Sequence, residues 1–218
     1  MDKQFWQQKW QSNDIAFHQG EANPLLVKYF HMLNVAMGSR ILLPLCGKTL
    51  DIAWLLSKGY RVVGVELSEL AITQLFAELG VQPVITQQGK LQHYHAGNLD
   101  IYVGDIFDLS PELLGTVDAL YDRAALVALP ASMRPDYAKH ITMLSAKARQ
   151  LLITFDYDQS LLQGPPFAIS REQLQQYYGQ DYSLNLAASV ELQGGLKGQC
   201  PAIEKVWLLQ KQRRCGVN

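Results

Sequence analysis

Four charged side chains stand at the ends of short apolar runs, where an α/β sheet would place them for chemistry. They are Glu66 after residues 61–65, Asp105 after residues 99–103, and the pair Asp122-Arg123 after residues 117–121. The carboxyl ends of parallel strands meet at one edge of a sheet, which is where open α/β sheets bind ligands. A carboxylate there can accept hydrogen bonds from hydroxyl or amino groups, and an arginine can bind a carboxylate or stabilise an anionic nucleophile.

Glu66 has the most informative spacing, because it lies 19 residues after Gly47. In a nucleoside-binding βαβ unit, an acidic residue at about this offset accepts hydrogen bonds from both ribose hydroxyls. The alternative is a helix-capping or surface glutamate.

The loop before the helix of this unit, residues 44–49, fits neither of the common phosphate-binding patterns. A phosphate loop needs a glycine five residues before Gly47, and that position is Leu42. The dinucleotide pattern G-x-G-x-x-G is reduced to Gly47 alone. The expected ligand is therefore a nucleoside without phosphate, such as S-adenosylmethionine. A structural turn that binds nothing remains the alternative.

The other two charged sites are less specific. Asp105 could meet the amino group of adenine while Ile106 or Phe107 covers the face of the base, although Phe107 suits a core position equally well. Arg123 could contact the ligand, or it could form a self-contained ion pair with Asp122.

Aromatic and histidine residues outside these strands offer further candidates. Trp6, Trp10 and Phe17 precede the first core strand, where they could pack or could cover the crevice as a lid. His93 and His95 alternate and would share one strand face. No third ligand stands near them in the sequence, so no metal is expected.

The elements that must position these residues alternate between strand and helix. Residues 1–35 form an N-terminal helical extension in this interpretation, and Asn23, Ser68 and Ser170 are predicted helix caps. Residues 81–90 are predicted to be irregular, residues 91–95 and 99–103 a hairpin, and residues 182–192 and 202–210 two final long strands. This order predicts an α/β fold in one domain, residues 1–218.

Composition limits the function classes. The 218 residues are 48% apolar with a net charge of -1, which favours one globular domain and gives no footprint for nucleic acid. The sequence contains no membrane-spanning run and no signal-peptide core. Three scattered cysteines are typical of a reducing cytoplasm.

Several motifs together resemble the thiopurine S-methyltransferase family, in a bacterial form. They occur in the order of the family and cover most of the chain: Trp6-x3-Trp10, Ala16-Phe17-His18-Gln19, Pro44-Leu45-Cys46-Gly47-Lys48, Val63-Gly64-Val65-Glu66-Leu67-Ser68-Glu69-Leu70, Asp105-Ile106-Phe107-Asp108-Leu109, Asp122-Arg123-Ala124-Ala125-Leu126-Val127-Ala128 and Gly164-Pro165-Pro166-Phe167. The resemblance implies a class I S-adenosylmethionine-dependent methyltransferase with a Rossmann-like, doubly wound sheet. That sheet would be mostly parallel with one antiparallel strand, in three layers α/β/α. Family members act mostly as monomers.

The resemblance also implies roles for individual positions. Trp10, Leu45, Glu66 and Arg123 would contact the methyl donor, with Ile106 and Phe107 flanking adenine. Gly47 and Asp105 are also expected to contact the donor, because of their places in the loop and at the strand end described above. Phe17, His18, Pro165 and Pro166 would shape the pocket for the methyl acceptor.

The reaction implied is methyl transfer to a thiopurine or another heteroaromatic thiol, which leaves S-adenosylhomocysteine. A heteroaromatic thiol is acidic enough to react as a thiolate, so no dedicated base is expected. Arg123 could favour that thiolate or hold the donor carboxylate. The family includes members linked to methylating selenium and tellurium compounds. Two other classes remain open: a nucleotide-dependent oxidoreductase and a non-catalytic nucleoside-binding module.

Overall fold

A computed structural model describes residues 3–15 and 19–212. Seven α-helices lie in this part of the chain: α1 (Lys3–Gln11), α2 (Pro24–Tyr29), α3 (Leu50–Ser57), α4 (Glu69–Leu79), α5 (Pro111–Leu114), α6 (Arg134–Leu144) and α7 (Arg171–Tyr178). The strands are β1 (Arg40–Pro44), β2 (Arg61–Glu66), β3 (Val84–Gln88), β4 (Leu91–Ala96), β5 (Leu99–Val103), β6 (Ala119–Asp122), β7 (Arg149–Tyr157), β8 (Tyr182–Glu191) and β9 (Ala202–Lys211). No helix among these residues is both long and apolar enough to cross a membrane.

The strands form one sheet in the order β3-β4-β5-β2-β1-β6-β7-β9-β8. The five central strands, β5-β2-β1-β6-β7, are parallel. The chain winds outward from β1 in one direction and then from β6 in the other, so the order reverses between these two neighbours. A reversal of this kind opens a crevice beyond the carboxyl ends of the two strands.

Helices cover both faces of the sheet and bury two separate cores. Leu26 of α2, Ile52 of α3 and Ile72 of α4 pack on one face. On the opposite face, Tyr137 of α6 and Leu174 of α7 pack against the sheet. The predicted three-layer α/β/α arrangement is therefore confirmed.

The predicted caps are confirmed by their hydrogen bonds. The side chain of Asn23 accepts from the first backbone N–H groups of α2, and Ser68 does the same for α4. Ser170 and Gln173 form a reciprocal capping box on α7. The helix capped by Asn23 was predicted to reach about Asn34, but α2 ends at Tyr29 and a 3₁₀ turn over Phe30–Leu33 follows it.

Two features of the sheet differ from the prediction. Within the stretch predicted to be irregular, β3 pairs with β4 in antiparallel register, from Val84 with His95 to Gln88 with Leu91. Its residues are almost all exposed, so no alternation of apolar and polar residues marked it as a strand. The sheet is mostly parallel as predicted, but β4 and β9 both run against the central strands, so there are two antiparallel strands and not one.

Candidate functional site

A cavity of about 770 Å³ lies beyond the carboxyl ends of the central strands, at the reversal of strand order. We call it the central cavity. Seven of the predicted site residues line it: Trp10, Leu45, Gly47, Glu66, Arg123, Pro165 and Pro166. A cavity of this size, lined by apolar side chains together with charged ones, is typical of a small-molecule site.

The loop after β1 holds its backbone in an uncommon conformation. Leu45 and Gly47 both have positive φ angles, 47° and 53°. Such a conformation costs energy for leucine and is found more often at functional sites than elsewhere. Lys48, the lysine that resembles a phosphate-loop residue, is instead ion-paired with Glu78 of α4. The loop therefore shows no phosphate cradle built around that lysine.

Glu66 is buried at the end of β2, with 6% of its surface exposed. One carboxylate oxygen, Oε2, accepts a hydrogen bond from the backbone N–H of Gly47 at 2.7 Å, and Oε1 accepts one from Ser68 at 2.9 Å. Burial raises the pKa of Glu66, and the backbone donors of Ser68, Gly47 and Leu67 oppose that rise. A carboxylate has about four lone-pair sites, more than these backbone groups use, so it keeps acceptor capacity for a ligand in the central cavity.

Helix α1 covers this part of the cavity through Trp10, which is 5% exposed. The indole lies directly on the loop after β1: a Cβ atom added to Gly47 would stand 2.9 Å from Trp10 Cζ2. Gly47 is therefore required for two reasons, its positive φ and the close approach of the aromatic ring.

Asp122 and Arg123, at the end of β6, have different surroundings. Asp122 is fully buried and accepts hydrogen bonds from the backbone of Leu126 at 3.1 Å and from Tyr137 Oη at 2.7 Å. Burial raises the pKa of Asp122 to about 6. Arg123 lines the central cavity. Burial raises the pKa of Glu204 in the same cavity, and the positive charge of Arg123 opposes that rise.

The predicted adenine segment lies beside the cavity and does not line it. The N–H of Gly104 donates to the backbone carbonyl of Glu66 at 2.8 Å, which brings the segment next to β2. Asp105 accepts from the N–H of Phe107 at 3.1 Å, Ile106 is buried, and Phe107 is 38% exposed. Their contact with a donor stays a prediction.

The predicted acceptor residues fall into two groups. Phe17 and His18 lie outside the described residues. Pro165 and Pro166 line the central cavity, in a loop with two cis peptide bonds, Gly164-Pro165 and Pro165-Pro166. The loop is held by Tyr157 Oη, which donates to the carbonyl of Pro166 at 2.7 Å, and by Lys197 Nζ, which donates to that of Pro165 at 2.9 Å.

Comparison with known proteins gives the family of the chain. A sequence model described as thiopurine S-methyltransferase matches residues 1–211. The thiopurine S-methyltransferase of Xanthobacter autotrophicus is 53% identical over 212 residues, which span 97% of this chain and 100% of that protein. That of Teredinibacter turnerae is 48% identical over 97% of this chain and 98% of its own. The chain belongs to the thiopurine S-methyltransferase family.

Solved structures place this family member in the class I methyltransferase fold. The 1,6-didemethyltoxoflavin-N1-methyltransferase of Burkholderia thailandensis, solved with S-adenosylhomocysteine bound, has a TM-score of 0.66 at 14% identity, over 96% of this chain and 87% of that one. The magnesium protoporphyrin IX methyltransferase of Synechocystis has a TM-score of 0.60 at 14% identity, over 96% and 100%. The chain is thus an S-adenosylmethionine-dependent methyltransferase, and the oxidoreductase alternative is not favoured.

Sequence reasoning missed several residues that line the central cavity of this family member, three of which form a connected polar group or face Arg123. Glu204 of β9 and Tyr121 of β6 line the central cavity together with Asp51 of α3. Asp51 is buried, and it accepts from Tyr121 Oη at 3.1 Å and from the backbone N–H of Asn23 at 2.7 Å. The available signal for Glu204 was weak: it stands in a strand with apolar residues such as Ile203 and Val206, but Lys205 follows it directly, so the charged pair is also typical of a solvent-facing position.

Proposed function

We propose that the chain methylates the sulfur of thiopurines and related heteroaromatic thiols, and converts S-adenosyl-L-methionine to S-adenosyl-L-homocysteine. One observation carries this proposal: a buried carboxylate, Glu66, faces the central cavity beneath a loop that does not fit a phosphate ligand. The names of the curated relatives agree with this acceptor class.

The residues of the central cavity fit the methyl donor. When bound, the donor supplies an electrophilic methyl group on a sulfonium sulfur. Glu66 would accept from the ribose hydroxyls with the lone pairs that its backbone partners, Gly47 and Ser68 among them, leave unused. Since these N–H groups hold the carboxylate before a ligand arrives, its orientation costs little on binding.

Arg123 would orient the acceptor and favour its thiolate form. Its charge faces the same cavity as Pro165 and Pro166, and a cation beside a thiol lowers the thiol pKa. With the acceptor already anionic, the chain has mainly to align two reactants, and alignment of this kind supplies about 7–11 kcal/mol. The second role for Arg123, holding the donor carboxylate, remains the alternative.

Helix α1 would act as a lid over the aligned reactants. Trp10 already lies on Gly47, and Asp14, just after α1, is ion-paired with Lys9. The hydrogen bond and charge of Lys9 lower the pKa of Asp14, and Lys197 of the β8–β9 connection adds a smaller lowering. All three residues line the central cavity. Exclusion of water strengthens the electrostatic effect of Arg123 on an anionic sulfur.

The proposal extends to finer properties. We infer a monomeric, cytoplasmic enzyme with a small-molecule thiol as its partner, and methylation of selenium or tellurium compounds as a second activity. The two described cysteines, Cys46 and Cys200, are unpaired, which is usual in a reducing compartment. Light scattering tests the monomer, and growth on tellurite with and without the gene tests the second activity.

Calorimetry with S-adenosylmethionine and NAD, followed by a methylation assay on 6-mercaptopurine, tests the main proposal. The expected result is binding of S-adenosylmethionine alone and formation of S-methylated product. Binding of NAD instead would indicate an oxidoreductase. Binding of the donor without methylation of any thiol, selenium or tellurium compound would indicate a nucleoside-binding module.

A further inference from the structure

A second cluster of chemically active side chains lies at the β4–β5 hairpin, away from the central cavity. His93 and His95 share one face of β4, and β5 places Asp100 directly opposite His95. We propose that His93, His95 and Asp100 form a binding site for a divalent transition-metal ion such as Zn²⁺.

The donor atoms already converge on one point. His93 Nε2 and His95 Nδ1 each lie 2.9 Å from Asp100 Oδ1, and the three atoms are all within 4.8 Å of one another. Zinc bonds of about 2.0–2.2 Å in tetrahedral geometry set donor atoms roughly 3.3 Å apart. Each ring would therefore retreat from the carboxylate by about 0.4 Å, which a small side-chain rotation provides.

Two of the three ligands are held by outer partners. His93 Nδ1 lies 3.4 Å from Gln88 Nε2, and its ring stacks on Tyr102 with 4.7 Å between centroids. With a metal on Nε2 the ring carries its proton on Nδ1, so the Gln88 amide would turn its oxygen toward the ring to accept that hydrogen bond. The second oxygen of Asp100, Oδ2, accepts from Arg40 Nη2 at 3.0 Å. Metal sites use partners of this kind to fix ligand orientation. The Arg40 charge lowers cation affinity, but it holds the carboxylate with Oδ1 facing both histidines.

Ligand type and access select the class of metal. Two imidazoles and one carboxylate oxygen suit zinc, copper or nickel, whereas magnesium and calcium prefer oxygen ligands alone. The side chain of His95 is 50% exposed, compared with 16% for His93, so an ion can enter from solvent on that side. Three protein ligands leave a fourth position for water.

The position in the sheet separates this site from methyl transfer. Asp100 is the second residue of β5, while the central cavity lies beyond the carboxyl ends of the parallel strands. An ion here would join β4 to β5. The sequence-based expectation of no metal rested on the missing third ligand, and the hairpin supplies that ligand five residues after His95.

Calorimetry of tag-free protein with ZnCl₂, and separately with MgCl₂, tests the site. Wild type should bind one zinc ion and no magnesium, and His95→Ala should weaken zinc binding by at least about 100-fold, the upper end of losses from outer partners. His31→Ala is the matched control, because His31 is exposed and lies outside the cluster. Cys215 remains in both variants, so zinc affinity that survives His95→Ala at the wild-type level would overturn the proposal.

Gln88→Ala and cobalt substitution distinguish a metal site from a hydrogen-bonded cluster. Gln88→Ala should weaken zinc binding by about 10–100-fold without changing the melting temperature in EDTA. Co²⁺ added to wild type should give the visible absorption of a tetrahedral complex, and His95→Ala should abolish it. Unchanged zinc affinity in Gln88→Ala together with no cobalt spectrum would refute the site.

Discussion

Replacement of Glu66 by glutamine should weaken donor binding far more than it weakens the fold. The carboxylate accepts from two backbone N–H groups, those of Gly47 and Ser68. A glutamine keeps one acceptor oxygen and turns an NH₂ group toward the other N–H. It also removes a buried charge, and burial of that charge is unfavourable, which is why burial raises the pKa of Glu66. The lost backbone hydrogen bond should therefore destabilise the fold, while the lost charge should stabilise it.

The loss of donor affinity can be worked out from the same geometry. One ribose hydroxyl loses its acceptor, and the other bonds to a neutral oxygen in place of a charged one. Hydrogen bonds to charged groups contribute about 1.5–3 kcal/mol and those between neutral groups about 0.5–1.5 kcal/mol. The sum is about 3 kcal/mol, which is more than a hundredfold in Kd.

Calorimetry of wild type and Glu66→Gln, each with S-adenosylhomocysteine and with its 2′,3′-dideoxy analogue, forms a double-mutant cycle. The cycle measures the interaction between the carboxylate and the ribose hydroxyls. Wild type should prefer the natural ligand by more than about a hundredfold, and Glu66→Gln should hardly distinguish the two. Glu78→Gln is the control, because Glu78 is a partly exposed acid ion-paired with Lys48. If Glu66→Gln lost the same affinity for both ligands, the carboxylate would act through the loop and the ribose assignment would be refuted.

Three further predictions follow from the surroundings of the central cavity. Burial raises the pKa of Asp122 from 3.8 to about 6, so the folded chain holds this proton more tightly than the unfolded chain. Its contribution to stability should fall by roughly 2 kcal/mol as pH rises from about 4 to 6, and urea unfolding across this range should show wild type losing about that much stability relative to Asp122→Asn. Gly47→Ala should displace Trp10 and weaken donor binding by at least about tenfold, with Gly20→Ala, which meets no neighbouring atom, as the calorimetric control. Glu204→Gln should change KM for 6-mercaptopurine with donor Kd unchanged, and the opposite pattern in steady-state kinetics would place Glu204 in the donor site.

The parts of the fold that could be predicted from the sequence depend on local interactions. Asn23, Ser68 and Ser170 were identified as caps because a cap bonds to backbone two or three residues away. Strand β3 was missed because an exposed edge strand carries no burial pattern, and only its pairing with β4 defines it. Strand β4 runs against the central strands, as β9 does, so the sheet has a second antiparallel strand that the family resemblance alone did not imply.

The two halves of the central cavity differ in how far their residues lie apart in the chain. Leu45, Gly47 and Glu66 come from one βαβ unit, where strand and helix lengths dictate the spacing, so the donor side could be inferred from that spacing. Arg123, the loop at Pro165 and Glu204 come from separate elements, β6, the segment after β7 and β9, and only the order of the sheet brings them together. The antiparallel entry of β9 beside β7 places Glu204 next to Phe155, and no local pattern encodes that neighbour. We expect a site divided in this way to keep its donor chemistry when substitutions on β9 and in the proline loop alter the acceptor, because those residues lie outside the βαβ unit that holds Glu66.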